Sequence, residues 1–184
     1  DLPVRSVRDL VTYAQAHPAQ LNYASSGIGS ASHLQTEYLN SVTGMKITHI
    51  PFKADPDIMR ELSVGRVHMG ISPLQGAMSF ISSGKVRAVA VTGARRLKGL
   101  PEVPSLSEAG FKGLEGIDPY TYYGLVGPAG VPEHVVAKVN EAVNTVSKMP
   151  KVVEQLQAQQ FARPVVDSPD SFRRSARSIA GRSP

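Results

Sequence analysis

The residues best suited to chemistry in this chain form one run, Ser25-Ser26-Gly27-Ile28-Gly29-Ser30, followed by Ala31-Ser32-His33. Set between Asn22-Tyr23-Ala24 and Leu34, it reads as a loop joining a short strand to the first turn of a helix. Such a loop aims unpaired backbone N–H groups at one point, at the positive end of a helix dipole. It receives an anion with no lysine or metal. Small side chains let the backbone approach the ligand, and serine hydroxyls add donors.

Other chemistries fit these residues less well. Gly27-x-Gly29-x-x-Ser32 approaches a dinucleotide fingerprint, but Ser32 replaces the third glycine. The following strand ends in Ile50-Pro51-Phe52, with no acid for a ribose hydroxyl, and no Gly-Lys-Ser/Thr makes a P-loop. Ser25 or Ser26 on a strand-to-helix turn suggests a serine-dependent α/β hydrolase as the alternative function. The first glycine of Gly-x-Ser-x-Gly is missing, however, and His134 and Asp167 follow in an order that makes no triad by itself. His33, in the first helical turn, reads as a loop-orienting group rather than a base, since no acid or base is placed beside it. The five histidines lack metal-ligand spacing and cysteine is absent, so neither a metal nor another cofactor is expected and thiolate chemistry is excluded.

Alternating strands and helices must position this loop. Ser6 with Asp9 marks a helix start, with Val7, Leu10, Val11 and Ala14 on one face as far as about His17. Leu21 to Ala24 reads as a strand, and Leu34, Tyr38 and Val42 as a helix that Gly44 closes. The cycle repeats: strand Lys46–Ile50, helix from Asp55 as N-cap with Pro56 at N1, strand Val67–Ser72, helix Pro73–Ser82, strand Val86–Val91. This is the signature of an open parallel sheet with right-handed crossovers. Ligands collect at the carboxyl ends of such strands, so the loops Ser25–Ser32, Phe52–Asp55 and Ser72–Gln75 should share one rim.

From Gly93 to Pro119 the pattern gives way to a connection, with one helical turn near Ser105–Ala109. A strand at Tyr122–Val126 and helices from Pro132, Pro150 and Ser168-Pro169 follow. These later helices cannot bury both faces of anything alone, so a partner segment is expected elsewhere. The chain opens at Asp1-Leu2-Pro3 with no initiator Met or signal peptide, and is expected to be a processed product or a piece of something longer.

With 184 residues, 41% apolar and 19% charged, the chain has the composition of a globular protein. No apolar run reaches the ~18 residues that span a bilayer, so membrane insertion is not expected. The net charge is +5, concentrated in Arg95, Arg96 and Lys98 and in Arg173, Arg174, Arg177 and Arg182. A nucleic-acid reader would interleave stacking aromatics with such a patch, and Trp is absent, so nucleic acid is not an expected partner.

Several stretches together resemble one family, the solute receptors of tripartite tricarboxylate transporters (the Bug or TctC proteins). They are Asn22-Tyr23-Ala24-Ser25-Ser26-Gly27-x-Gly29-Ser30-x-x-His33-Leu34, His49-Ile50-Pro51-Phe52-Lys53, Gly65-Arg66-Val67, Gly84 to Thr92, Leu100-Pro101-Glu102-Val103-Pro104-Ser105, and Tyr123-Gly124-Leu125-x-x-Pro128-Ala129-Gly130-Val131-Pro132. The resemblance implies an α/β, type II periplasmic binding fold with an open, mainly parallel sheet and flanking helices in two lobes. Residues 1–117 would be the second lobe, complete or nearly so, and 118–184 the C-terminal part of the first lobe.

The family's activity would be non-enzymatic: capture of a small carboxylate in the periplasm by hinge closure, then delivery to membrane permease subunits. Ser25, Ser26, Gly27, Gly29 and Ser30 would hold a carboxylate through N–H groups from Gly27 to Ser30. Lys53, Ala54, Asp55 and Ser72 would line its distal side. Ala54-Asp55 stands where many members carry Gly-Gly or Gly-Ser, and Ser72 where many carry Asp. The first-lobe carboxylate loop has no counterpart here, so weak or absent binding by these residues alone is expected.

Overall fold

A computed structural model describes residues 2–114, 117, 125–158, 168–171 and 174. The chain divides into two units, Asp1–Thr121 and Tyr122–Pro184.

Unit 1 is built on a parallel sheet of three strands, β1 (Asn22–Ser25), β2 (Thr48–Pro51) and β3 (Met69–Gly70), in the order β2-β1-β3. Tyr23 lies opposite His49 and Met69, and Ala24 opposite Ile50 and Gly70. Because the strands are parallel, their carboxyl ends open onto one rim, where the three following loops emerge. Successive side chains of β1 point to opposite faces. Tyr23 joins a core with Val7, Leu10, Val11 and Ala14 of α1 (Val7–Ala16), Leu39 of α2 (Ala31–Thr43), and Ile47. Ala24 joins a separate core with Ile58 and Met59 of α3 (Asp55–Ser63), Val67, and Ala77 of α4 (Leu74–Ser82). The sheet is thus sandwiched between two pairs of helices.

Local chemistry sets the helix ends. The Ser6 hydroxyl accepts the Asp9 N–H at 3.0 Å. The Asp9 carboxylate accepts the Arg5 N–H at 2.9 Å, which with the Ser6 hydroxyl holds its pKa below the usual range. Gly44 ends α2 at φ 70, a left-handed turn, with its N–H on Asn40 O at 2.8 Å.

Four expected features differ in the structure. Ala54, not Asp55, occupies the N-cap of α3 and no side chain caps it; Asp55 is the first helical residue, and Asp57 pairs with Arg60 at 3.1 Å. Pro73 likewise sits at the N-cap of α4 rather than inside it. β3 is shortened because the His68 N–H bonds to both Asn22 O (3.2 Å) and Asn22 Oδ1 (3.0 Å), so a side chain intrudes into the ladder. Val86–Val91 forms no strand. The N–H groups of Lys85 and Val86 return to Phe80 O, and Val91 makes an isolated bridge to Ser105, accepting the Leu106 N–H and donating to Pro104 O.

The connection after Gly93 contains the expected turn, a 3-10 helix at Leu106–Ala109. The Glu108 carboxylate accepts the Ser105 N–H at 2.9 Å and clasps the Arg96 guanidinium at 2.7 Å. These bonds, the Arg96 bond foremost, hold Glu108 down at about 2. Arg96 also donates to Pro101 O at 2.9 Å, so one cation of the basic cluster staples its own loop.

Unit 2 contains α5 (Glu133–Ser147) and α6 (Pro150–Ala158). α5 buries none of its residues, and Val135, Val139, Val143 and Val146 stand exposed along it. Of the strand expected at 122–126, residues 122–124 lie outside the described residues, while Leu125 and Val126 are exposed and not in a strand. The last expected helix is seen at 169–171 and 174, the Ser171 N–H meeting Ser168 Oγ at 3.2 Å.

Candidate functional site

β1 delivers Ser25 to the rim with its side chain fully buried. Its Oγ lies 2.6 Å from His49 Nε2 and 3.2 Å from both the N and the O of Gly27. His49 comes from β2, in register with Tyr23, and the two rings stack at 4.8 Å between centroids. The His33 ring, from the first turn of α2, lies 4.3 Å from that of His49. Tyr23 completes the group by donating its hydroxyl to Glu37 Oε1 at 2.5 Å. Burial, then the Glu37 carboxylate, raises the Tyr23 pKa and keeps it a donor. Burial lowers the pKa of His49, a His33 charge acts the same way, and Glu37 opposes both. A neutral His49 can therefore take the Ser25 hydroxyl proton while Ser25 Oγ accepts the Gly27 N–H.

The loop above this group is tied to itself. Gly27 and Gly29 have φ of 119 and 79, which side-chain-bearing residues rarely adopt. Ser30 caps α2 by accepting the His33 N–H at 3.3 Å, and the Gly29 N–H donates to His33 Nδ1 at 3.2 Å. Ser32 Oγ accepts the Ser26 N–H at 3.1 Å and lies 3.3 and 3.1 Å from the hydroxyls of Ser26 and Ser30. The Ser30 N–H donates to Gly27 O at 3.2 Å. Three amides expected to face a ligand, Gly27, Gly29 and Ser30, are thus engaged within the loop. Among the described residues no acceptor meets the N–H of Ile28, Ala31 or Ser32. Ala31 and Ser32 open the 13-residue α2, so the open donors lie at the positive end of its dipole.

The other expected residues lie along the same rim. Phe52 donates its N–H to Ser25 O at 2.8 Å, tying the β2 loop to the first. Lys53 and Ala54 beyond it are exposed, and Asp55 is half-buried at the start of α3. Ser72 lies two residues past Gly70, as Ser26 lies two past its partner Ala24. The Ser72 Oγ is buried with no hydrogen-bond partner among the described residues. Expectation from sequence gave no role to His49, Tyr23 or Glu37. A signal existed: residues 23 and 25 share a strand face, and parallel pairing sets position 49 beside them.

The 2.6 Å Ser25–His49 contact has the spacing of a nucleophile and its base. Ser25 is fully buried, however, and among the described residues no carboxylate is bonded to His49 Nδ1, since Glu37 serves Tyr23. His134 belongs to α5 of the other unit, and Asp167 lies outside the described residues. No group of His, Asp or Glu among the described residues gathers to hold a metal ion, and no described helix is long and apolar enough to cross a membrane.

The parallel α/β sheet with its flanking helices is of the periplasmic binding protein class, and solved members of that class superpose on this chain. Residues 1–180 match the tripartite tricarboxylate transporter family receptor, and the chain belongs to that family. Among curated relatives, a UPF0065 protein from the tcbD–tcbE intergenic region of Pseudomonas sp. (strain P51) is 33% identical over 85% of this chain and 46% of its own length. Protein BugT of Bordetella pertussis is 28% identical over 94% of this chain and 52% of its own length. The chain thus spans about half the length of the curated relatives it matches. Among solved structures, R. palustris Rpa4515 with adipate shares a TM-score of 0.83 and 32% identity, over 99% of this chain and 60% of its own. MatC from Rhodopseudomonas palustris with bound malate gives 0.76 and 26%, over 92% and 56%.

Proposed function

We propose that this chain is the ligand-gripping part of a periplasmic receptor that captures a small carboxylate and hands it to a tripartite-type membrane permease. Residues 1–117 would form the second lobe and 118–184 the returning part of the first. The observation that carries this reading is the set of open N–H groups at Ile28, Ala31 and Ser32, where α2 begins. An anionic carboxylate satisfies them and gains the dipole as well. Ser25, Ser26, Gly27, Gly29 and Ser30 shape the cradle, with His33 orienting it. Ser72, with Lys53, Ala54 and Asp55, would line the distal side of the solute and set specificity. The adipate and malate held by the similar structures are of this chemical class.

The test is Ala31→Pro. Proline removes only the open N–H at the first helical position, where it is favoured, and Ser30 at φ −67 and ψ 160 already has the conformation that precedes proline. Calorimetric titration with di- and tricarboxylates should show binding weakened about tenfold or more, the worth of one charge-assisted hydrogen bond, with thermal stability retained. Unchanged affinity, or equal binding of the uncharged diamides, would refute the site.

The Ser25–His49 contact favours one rival, a serine hydrolase. In our reading Ser25 is a structural hydroxyl and the protein is not an enzyme, so a serine-directed fluorophosphonate should leave it unlabelled.

A further inference from the structure

Two histidines support the floor of the loop, and His33 does so through a lone pair. His33 Nδ1 accepts the Gly29 N–H at 3.2 Å, a bond that cannot survive protonation because a charged imidazole has no acceptor nitrogen. His49 Nε2 meets Ser25 Oγ at 2.6 Å. A charged His49 can only donate there, which leaves the Ser25 hydroxyl proton to Gly27 O, 3.2 Å away. Both rings therefore bear on the loop's own amides. With ring centroids 4.3 Å apart, the two imidazoles repel when both are charged. The groups facing the pair are Tyr23 and Ser25 from β1 and Glu37 from α2, the Glu37 carboxylate being bonded to the Tyr23 hydroxyl.

We propose that His33 and His49 are positioning residues that couple carboxylate capture to uptake of one proton. Protonation releases the Gly29 N–H toward the solute and places a positive charge beneath it. Carboxylate affinity therefore rises as the pH falls. The inference rests on the carboxylate reading above and adds the proton to it. The lowering of His49 by burial fits a ring that stays uncharged until an anion arrives.

The experiment is an NMR titration of the 184-residue chain, in which weak binding suffices. Imidazole and Gly29 amide shifts are followed from about pH 5 to 8, without and with malate, whose carboxyls stay ionised above about pH 6. Without solute, the Gly29 amide should shift in step with the His33 ring. Malate should raise the apparent midpoint of the pair, and the malate Kd should tighten roughly three- to tenfold between pH 8 and 6. In His33→Asn, and separately in His49→Asn, that pH dependence should shrink or vanish, whatever the change in affinity at pH 8. A Gly29 amide indifferent to the His33 titration would overturn the proposal without any ligand. So would a malate Kd flat with pH, or one whose pH profile survives both substitutions. Uncharged diamides that shift the same loop amides as the carboxylates do would instead remove the underlying functional reading, and this inference with it.

Discussion

Replacing Ser25 by alanine removes one oxygen from a position with no solvent exposure, and its cost can be worked from three distances. Oγ lies 2.6 Å from His49 Nε2 and 3.2 Å from the N and O of Gly27. Each hydrogen bond lost has a net worth of about 0.5–1.5 kcal/mol, and a buried partner left unsatisfied costs about 1–3 kcal/mol. His49 and Gly27 are only partly buried, so water reaches both and the lower half of that range applies. The expected loss is about 1–2 kcal/mol. Native-state hydrogen exchange of the β1 and β2 amides at about pH 8 reports on unit 1 by itself, and protection should fall roughly 5- to 30-fold. A double-mutant cycle with His49→Gln isolates the pair, with a coupling of about 1 kcal/mol expected. Strict additivity of the two substitutions would refute the claim that Ser25 and His49 act as one unit. Wild-type protection in Ser25→Ala would refute the burial argument as well.

Two further outcomes test the scaffold. A Cβ added at Gly70 would lie 3.1 Å from Ile58 Cγ2 and 3.3 Å from Ala24 O, so Gly70→Ala should cost about 1–3 kcal/mol by overpacking, read as a lowered urea midpoint. Glu108 is held at about 2 against an ordinary 4.5, so its bonds to Arg96 and Ser105 stabilise the fold above pH 4.5 and fade as the pH falls toward 2. In Glu108→Gln the thermal midpoint should therefore be lower near neutrality and flatter through that window, and parallel profiles for the two proteins would contradict this.

Much of the frame was legible in sequence because its signals are local. The Ser6–Asp9 start, the Gly44 stop and the glycine-serine loop each follow from residues within a few positions of one another. The misjudged places depend on distant partners. Val86–Val91 is apolar enough for a strand, yet its flanking amides are claimed by Phe80 and Pro104, which hydropathy cannot reveal. Asp55 is as good a cap as Ala54 is a poor one, and the backbone still begins the helix one residue early. Within the site, the loop was visible but its floor was not. His49 acquires meaning only once β2 lies in register beside β1. The donor amides moved for a local reason instead: the Ser25 hydroxyl, His33 and the Gly27 carbonyl take up the N–H groups of Gly27, Gly29 and Ser30, leaving their neighbours open.

The short outer strands carry a consequence for how this protein meets other chains. β2 ends in Pro51, which has no N–H to offer, and β3 is only two residues long, one of them Gly70. Neither flank presents a ladder long enough to template an unfolded neighbour. Among the described residues, strand-by-strand accretion, the usual start of fibril growth, finds no foothold on this sheet. The protein can keep a rigid parallel platform beneath a solvent-facing loop and still resist edge-to-edge aggregation.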